Sequence, residues 1–181
     1  MAAALKKAPE IAPLVKRVVY MGGAFYTDAI EFPAAEFNIW IDPESAKVSM
    51  RADFPEQIIF PQDVCNKVHI TSEEFMDLKS RIQSPLFLSM MDNHYLLDYF
   101  KSGSAATFIW DILVAAAILD PSIITEEVTL PVDVNDTYSL SYGQTLAYKG
   151  YGPESSRKAR IILNVNNDKV HDMLRQVFNK L

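Results

Sequence analysis

The 181 residues carry 17 Lys and Arg against 23 Asp and Glu, a formal net charge of -6, with 49% hydrophobic and 22% charged residues. That balance suits one soluble globular domain over residues 1–181 and excludes a disordered chain or a coiled coil. No Lys/Arg cluster is present to track a phosphate backbone, so nucleic acid is not an expected partner, and Cys65, as the only cysteine, excludes an internal disulfide or a thiolate zinc site.

Leu5, Ile11, Leu14 and Val15 recur at helical spacing, which predicts an opening helix interrupted around Pro9 and Pro13. The lysines and prolines of Met1 to Leu14 lack the charged-then-apolar order of a secretory signal; the cytoplasm is the expected location, with export the alternative if the true N-terminus lies upstream. Val18-Val19-Tyr20 reads as a buried strand running into a Gly22-Gly23 turn, the kind of strand end where α/β sheets place ligands. Asp42-Pro43-Glu44 predicts a helix start with Asp42 as N-cap, and Gln57 to Phe60 a second strand. Thr71-Ser72-Glu73-Glu74 is a capping-box pattern, and Pro85 to Tyr99 carries one long apolar helical stripe.

Ala105 to Leu119 reads as a single buried helix stopped by Asp120-Pro121, with Trp110-Asp111 in it. Its most apolar run, Phe108 to Leu119, falls short of the roughly 20 residues a bilayer requires, so no membrane span is expected. Strands near Val128 to Val134 and Arg160 to Val165, then a helix from Asn167 or Asp168 to Lys180, complete the order. Alternation of strands and helices predicts an α/β fold: a Rossmann-like sheet of mostly parallel strands with flanking helices.

Three places could carry chemistry. Met21-Gly22-Gly23-Ala24 is either a tight turn leaving a strand or a close backbone approach to a ligand, because glycine removes the side-chain barrier. Glu36-Phe37-Asn38 is either a solvated loop or a hydroxyl-binding set. In an extended segment Glu36 and Asn38 share one side, and they offer the acceptor and the donor-acceptor that neighbouring hydroxyls require. Asp111, after Trp110 in an apolar helix, is either a helix-start carboxylate or one that meets a cation. His69, His94 and His171 form no metal or nucleophile pattern.

Taken together, Lys7 to Pro13, Arg17 to Ala24 with its Met-Gly-Gly-Ala turn, Ala35-Glu36-Phe37-Asn38-Ile39, Asp42-Pro43-Glu44, Trp110-Asp111-Ile112-Leu113, Leu119-Asp120-Pro121 and, more weakly, Tyr142-Gly143-Gln144-Thr145 resemble the inosine-uridine nucleoside hydrolase family. Agreement is weakest from Pro61 to Gly103. The resemblance implies a nucleoside hydrolase fold and hydrolysis of the N-glycosidic bond of ribonucleosides to base and ribose, with one Ca²⁺ that also grips the sugar hydroxyls. It implies Asp111 as a calcium ligand in contact with ribose, Glu36 and Asn38 on the ribose hydroxyls, Met21 and Phe37 in the pocket wall, and Trp110 beside the base.

Two positions depart from the family pattern. Ala29-Ile30 stands where many members have Gly-Asn, and Trp110 where many have a His that protonates the leaving base. An indole N–H is no general acid at neutral pH, so the leaving group would be met by stacking. The family's N-terminal Asp-Thr-Asp-x-Gly-x-Asp-Asp cluster, which supplies the water-activating base and most calcium ligands, is not in these 181 residues. The expectation is therefore the C-terminal part of a nucleoside hydrolase, truncated at its N-terminus, with an incomplete calcium site and no catalytic residue of its own. It would act with a complementary N-terminal half or as a homo-oligomer. The alternative is a non-catalytic module that binds a ribosyl ligand or a protein.

Overall fold

The computed structural model describes residues 1–27 and 32–181, so the Ala29-Ile30 departure lies outside the described residues. Its strands are β1 (Val18–Met21), β2 (Gln57–Phe60), β3 (His69–Thr71), β4 (Ala106–Phe108), β5 (Ile124–Val134), β6 (Thr145–Ala147) and β7 (Arg157–Val165). By their internal contacts the residues fall into two compact units, Met1–Cys65 with Ile124–Val165, and Asn66–Ile123 with Asn166–Leu181.

The first unit is built on a five-stranded sheet in the order β1-β2-β7-β5-β6. β1 pairs with β2 and β2 with β7 in parallel, whereas β5 pairs antiparallel with both β7 and β6. The sheet is thus mixed, and the expected parallel character is confined to β1, β2 and β7. The reason is connectivity: a parallel pair needs a long crossover, and the chain from β5 through β6 to β7 contains no helix to make one. β5 extends to Ile124, four residues before the expected start, and is irregular against β7 around Glu126.

β2 shows why a central strand loses its alternation. All four of its residues are buried, because both faces are covered, and the sequence is accordingly a near-continuous apolar run. Ile59, Ile161, Val132, Val134, Met50 and Ile39 form one core cluster, with Tyr20 and Phe25 packed against it. Fully burying an Ile or Met contributes roughly 1.5–3 kcal/mol, so these residues carry much of the unit's stability. Beside the sheet, the helix Pro43–Met50 begins as its cap predicts, with the Asp42 carboxylate accepting from the Ser45 N–H at 3.0 Å.

The second unit contains the β3–β4 pair and the helices Ser72–Ser80, Pro85–Asp92, Tyr95–Lys101, Trp110–Leu119 and Asn167–Phe178. The capping box is present: the Thr71 hydroxyl accepts from the Glu74 N–H at 3.1 Å, and the Glu74 carboxylate accepts from the Thr71 N–H at 2.9 Å. Two expectations are corrected. Ala105 to Leu119 is not one helix, since Ala106–Phe108 pairs with β3 before the helix starts at Trp110. The stripe from Pro85 to Tyr99 breaks at Asn93, and His94 caps a second helix by accepting from the Leu96 N–H at 3.3 Å. Neither of those helices contains a buried residue, and Leu86 and Tyr95 are 67% and 70% exposed.

Candidate functional site

β1 ends at Met21 and the chain turns through Gly22 and Gly23. Gly23 has φ +85°, a left-handed conformation that a side chain would strain. A methyl group there would also stand 3.0 Å from Thr145 Cγ2, so glycine is needed both for the turn and for the close approach.

Five consecutive amides from Gly22 to Tyr26 are each given an acceptor. Gly22 N–H donates to the Phe60 carbonyl at 3.1 Å, and Gly23 N–H to Glu36 Oε2 at 2.9 Å. Ala24 N–H donates to Thr145 Oγ1 at 3.0 Å, and the amides of Phe25 and Tyr26 donate to the two carboxylate oxygens of Asp63 at 2.9 and 2.6 Å. A turn that would otherwise present costly unpaired donors is fixed on three side chains.

Glu36 is buried, 2% exposed, and caps the short helix Phe37–Trp40. Its Oε1 accepts from the Asn38 N–H at 2.9 Å while Oε2 holds Gly23, so one carboxylate ties the helix start to the glycine turn. The segment is therefore not extended, as the hydroxyl-binding argument assumed: Glu36 turns inward, and Asn38, the second helical residue, is exposed. Asn38 Nδ2 donates to Met21, reaching the carbonyl at 3.4 Å and the sulfur at 3.1 Å. Met21, Glu36 and Asn38 are thus brought together, and Phe37 is 47% exposed.

Met21 and Asn38 open onto a groove of about 450 Å³ that is also lined by Tyr20, Ile39, Ser49 and Met50. Tyr20 stands in its wall with its hydroxyl 3.2 Å from Gln57 Oε1, and burial pushes that hydroxyl well above its ordinary pKa.

Trp110 and Asp111 belong to the second unit, at the start of the helix Trp110–Leu119. Asp111 is exposed in the first turn, where the helix dipole favours a carboxylate. The Trp110 ring stacks on Phe108 with centroids 5.6 Å apart, and its indole N–H donates to Asn66 Oδ1 at 3.2 Å.

The sequence model of the inosine-uridine preferring nucleoside hydrolases matches residues 1–172. The chain belongs to this family. It is 26% identical over 170 residues to an inosine-uridine preferring nucleoside hydrolase of Leishmania major, an alignment covering 93% of this chain and 53% of that protein. It is 30% identical over 150 residues to a pyrimidine-specific ribonucleoside hydrolase of an Escherichia coli strain, covering 81% and 46%. The chain thus spans about half the length of the relatives it matches. Among solved structures, a plant nucleoside hydrolase superposes with a TM-score of 0.84 at 24% identity, covering 99% of this chain and 58% of its own. The inosine-uridine preferring enzyme of Bacillus anthracis superposes with 0.79 at 24%, covering 99% and 57%. At that identity the superpositions establish the nucleoside hydrolase fold: an α/β sheet, mixed in direction, with flanking helices.

The calcium ion expected in a nucleoside hydrolase does not fit the described residues by themselves. Ca²⁺ takes six to eight oxygen ligands, and among the described residues no three His, Cys, Asp or Glu side chains are grouped to hold a metal. Asp63 and Thr145, which hold the glycine turn, were beyond sequence reasoning as site residues. Their contacts lie 38 and 121 residues away along the chain, and the only trace was the weak Tyr142-Gly143-Gln144-Thr145 resemblance. No helix among the described residues is long and apolar enough to cross a membrane.

Proposed function

We propose that these residues form the ribosyl-binding part of a nucleoside hydrolase, whose substrate is a ribonucleoside cleaved at its N-glycosidic bond to base and ribose. The observation that carries this reading is the Met21–Glu36–Asn38 arrangement, in which a buried carboxylate locks a glycine turn and thereby presents an exposed side-chain amide at a groove. Asn38 then serves the ribose hydroxyls directly, with Met21 and Phe37 against the sugar. Glu36, with both oxygens engaged by amides, supports that contact by holding Asn38 in place. Asp111 would be one ligand of a calcium ion, whose other carboxylates, with the water-activating base, would come from outside these 181 residues. Calcium, when bound, would supply a charge that holds the sugar hydroxyls.

Trp110 offers the base a stacking face, because its N–H is already given to Asn66 and an indole does not protonate a leaving group at neutral pH. The edge position of β1 and the exposed apolar helices Pro85–Asp92 and Tyr95–Lys101 support association, either with a complementary N-terminal half or between copies of the chain. The same Trp110 contact favours a second reading, a ribosyl-binding module without hydrolysis.

Calorimetry of the chain with ribose and with inosine, with and without Ca²⁺, tests the first step, and release of reducing sugar tests the second. The hydrolase reading expects weak ribosyl binding, no turnover by the chain alone, and turnover once a polypeptide carrying the aspartate cluster is added. Tight metal-independent binding with no turnover in that mixture would establish the module, and absence of any ribosyl binding would remove both.

A further inference from the structure

We infer that Thr145 is a positioning residue for the ribosyl site, and that the segment Gly143–Thr145 sets the spacing between its two loops. This deepens the proposed ribosyl-binding reading and rests on it. Thr145 opens β6, at the opposite edge of the sheet from β1, yet it bonds the loop that leaves β1. Its hydroxyl uses both of its capacities on one residue: Oγ1 accepts from the Ala24 N–H at 3.0 Å and donates to the Ala24 carbonyl at 2.8 Å. The residue is only 5% exposed, so water does not readily take over either bond if the hydroxyl is lost.

Contact extends to both sides of the site. A methyl on Gly23 would lie 3.0 Å from Thr145 Cγ2, and a methyl on Gly143, itself at φ +83°, would lie 3.0 Å from Ala35 Cβ and 3.1 Å from Trp40 Cα. Gly23 thus lies directly against the Thr145 side chain, and Gly143 against Ala35 Cβ and the Trp40 backbone, so residues 143–145 wedge between the glycine turn and residues 35–40. The Glu36 carboxylate bridges those same two loops through Gly23 and Asn38. A shift of Ala24 thus moves Gly23, then Glu36, then the Asn38 amide that rests on the Met21 sulfur. Thr145 touches no ligand in this scheme; it acts through the Gly23–Glu36–Asn38 chain.

The variants Thr145→Val, which keeps the shape and removes the hydroxyl, and Thr145→Ser, which keeps the hydroxyl, test the inference in the full chain. Two readouts are used: inosine affinity by calorimetry, and the ¹³C-methyl resonance of Met21, assigned through Met21→Leu. Thr145→Val is expected to weaken inosine binding at least tenfold and to move the Met21 resonance, while Thr145→Ser stays within twofold of the native affinity with the native resonance. Ile161→Ala, a core truncation in the same unit, is expected to lower the melting temperature without changing either readout. Native affinity and an unmoved Met21 resonance in folded Thr145→Val would overturn the inference, as would equal losses in Ile161→Ala. If Thr145→Val does not fold, Thr145→Ala takes its place, and failure of both to fold makes Thr145 a stability residue and overturns the inference. If the native chain binds no inosine, the ribosyl reading falls, and the ligand-free Met21 resonance still decides the role of Thr145.

Discussion

Replacing Glu36 with Gln tests the clamp at its centre. The substitution preserves volume and leaves one acceptor oxygen, but the native carboxylate accepts one amide on each oxygen, Gly23 N–H and Asn38 N–H, both at 2.9 Å. Whichever way the new amide lies, its NH₂ faces an N–H donor at a position only 2% exposed. A hydrogen bond to a charged group contributes about 1.5–3 kcal/mol and a neutral one about 1 kcal/mol. Losing one such bond and neutralising the other therefore costs roughly 3 kcal/mol. For a domain of this size each kcal/mol moves the melting temperature by about 2–4 °C, so a fall of roughly 6–12 °C is expected. Trp40, in the helix that Glu36 caps, reports the transition by fluorescence in a Trp110→Phe background, which leaves it the only indole. Asn38→Ala serves as the contrast, since its side chain is exposed and its loss costs about 1 kcal/mol or less. Inosine affinity is expected to fall in both variants. A Glu36→Gln protein that melts within about 2 °C of the native chain would refute the clamp.

Three further outcomes follow from named contacts. Arg51 grips the buried Asp133 through two bonds of 2.9 and 2.5 Å, and the Asp133 hydrogen bond is the main cause holding the Arg51 pKa above its ordinary value. Arg51→Met leaves that carboxylate with the Val134 N–H alone and is expected to cost about 2–4 kcal/mol by denaturant titration, whereas a loss below about 1 kcal/mol would show that solvent reaches it. The bonds from Lys169 and Ser122 hold the Asp120 carboxyl at about 2, below its ordinary value of 3.8. Its stabilisation is therefore complete above the unfolded-state value and lost as pH falls through about 2, so native and Asp120→Asn melting temperatures should differ at neutral pH and converge by about pH 2. Cys65 is buried, with its thiol 3.5 Å from the Phe60 carbonyl, so a disulfide reagent should leave it unmodified in the native chain and titrate one thiol after denaturation. Rapid native-state reaction would place Cys65 at the surface.

What the sequence announced was local. β1 and β2, the Asp42 cap, the Thr71–Glu74 box and the closing helix, observed as Asn167–Phe178, were legible because a cap partner lies three residues from its helix start and a β-branched run declares itself within four. β3 and β4 were not, because strands of three residues are shorter than the pattern that identifies them, and the apolar Ala106–Phe108 run fits helix or strand equally until its partner is known. The antiparallel turn of the sheet at β5 did leave a sign: no helical segment separates Val134 from Arg157, which argues against a parallel crossover there. Around the glycine turn the geometry of the candidate residues was not legible. Glutamate is an uncommon N-cap, so Glu36-Phe37-Asn38 read as extended, and the amide that fixes its orientation is 13 residues away at Gly23.

The same geometry bears on why these residues would need carboxylates from elsewhere. Each of the two acidic side chains that hold the glycine turn, Glu36 and Asp63, has both oxygens on backbone amides, and Asp42, which lines the groove, caps its helix through Ser45. Moving either toward a cation would release two donors from a turn whose conformation depends on them, at about 1–3 kcal/mol for each donor left unpaired in a buried position. Their negative charge is thus tied to holding the glycine turn, and Asp111, exposed on the second unit, is the remaining acid among the candidate site residues. One carboxylate does not satisfy an ion that asks for six to eight oxygens. On the proposed ribosyl-binding reading, this part of the fold would supply the sugar-facing side, and the charge for a cation and for water activation would be delivered to it. Added Ca²⁺ alone should then leave the melting temperature of the chain unchanged, and the same addition should raise it once the aspartate-bearing polypeptide is present. A rise with Ca²⁺ alone would mean that these residues already hold a cation.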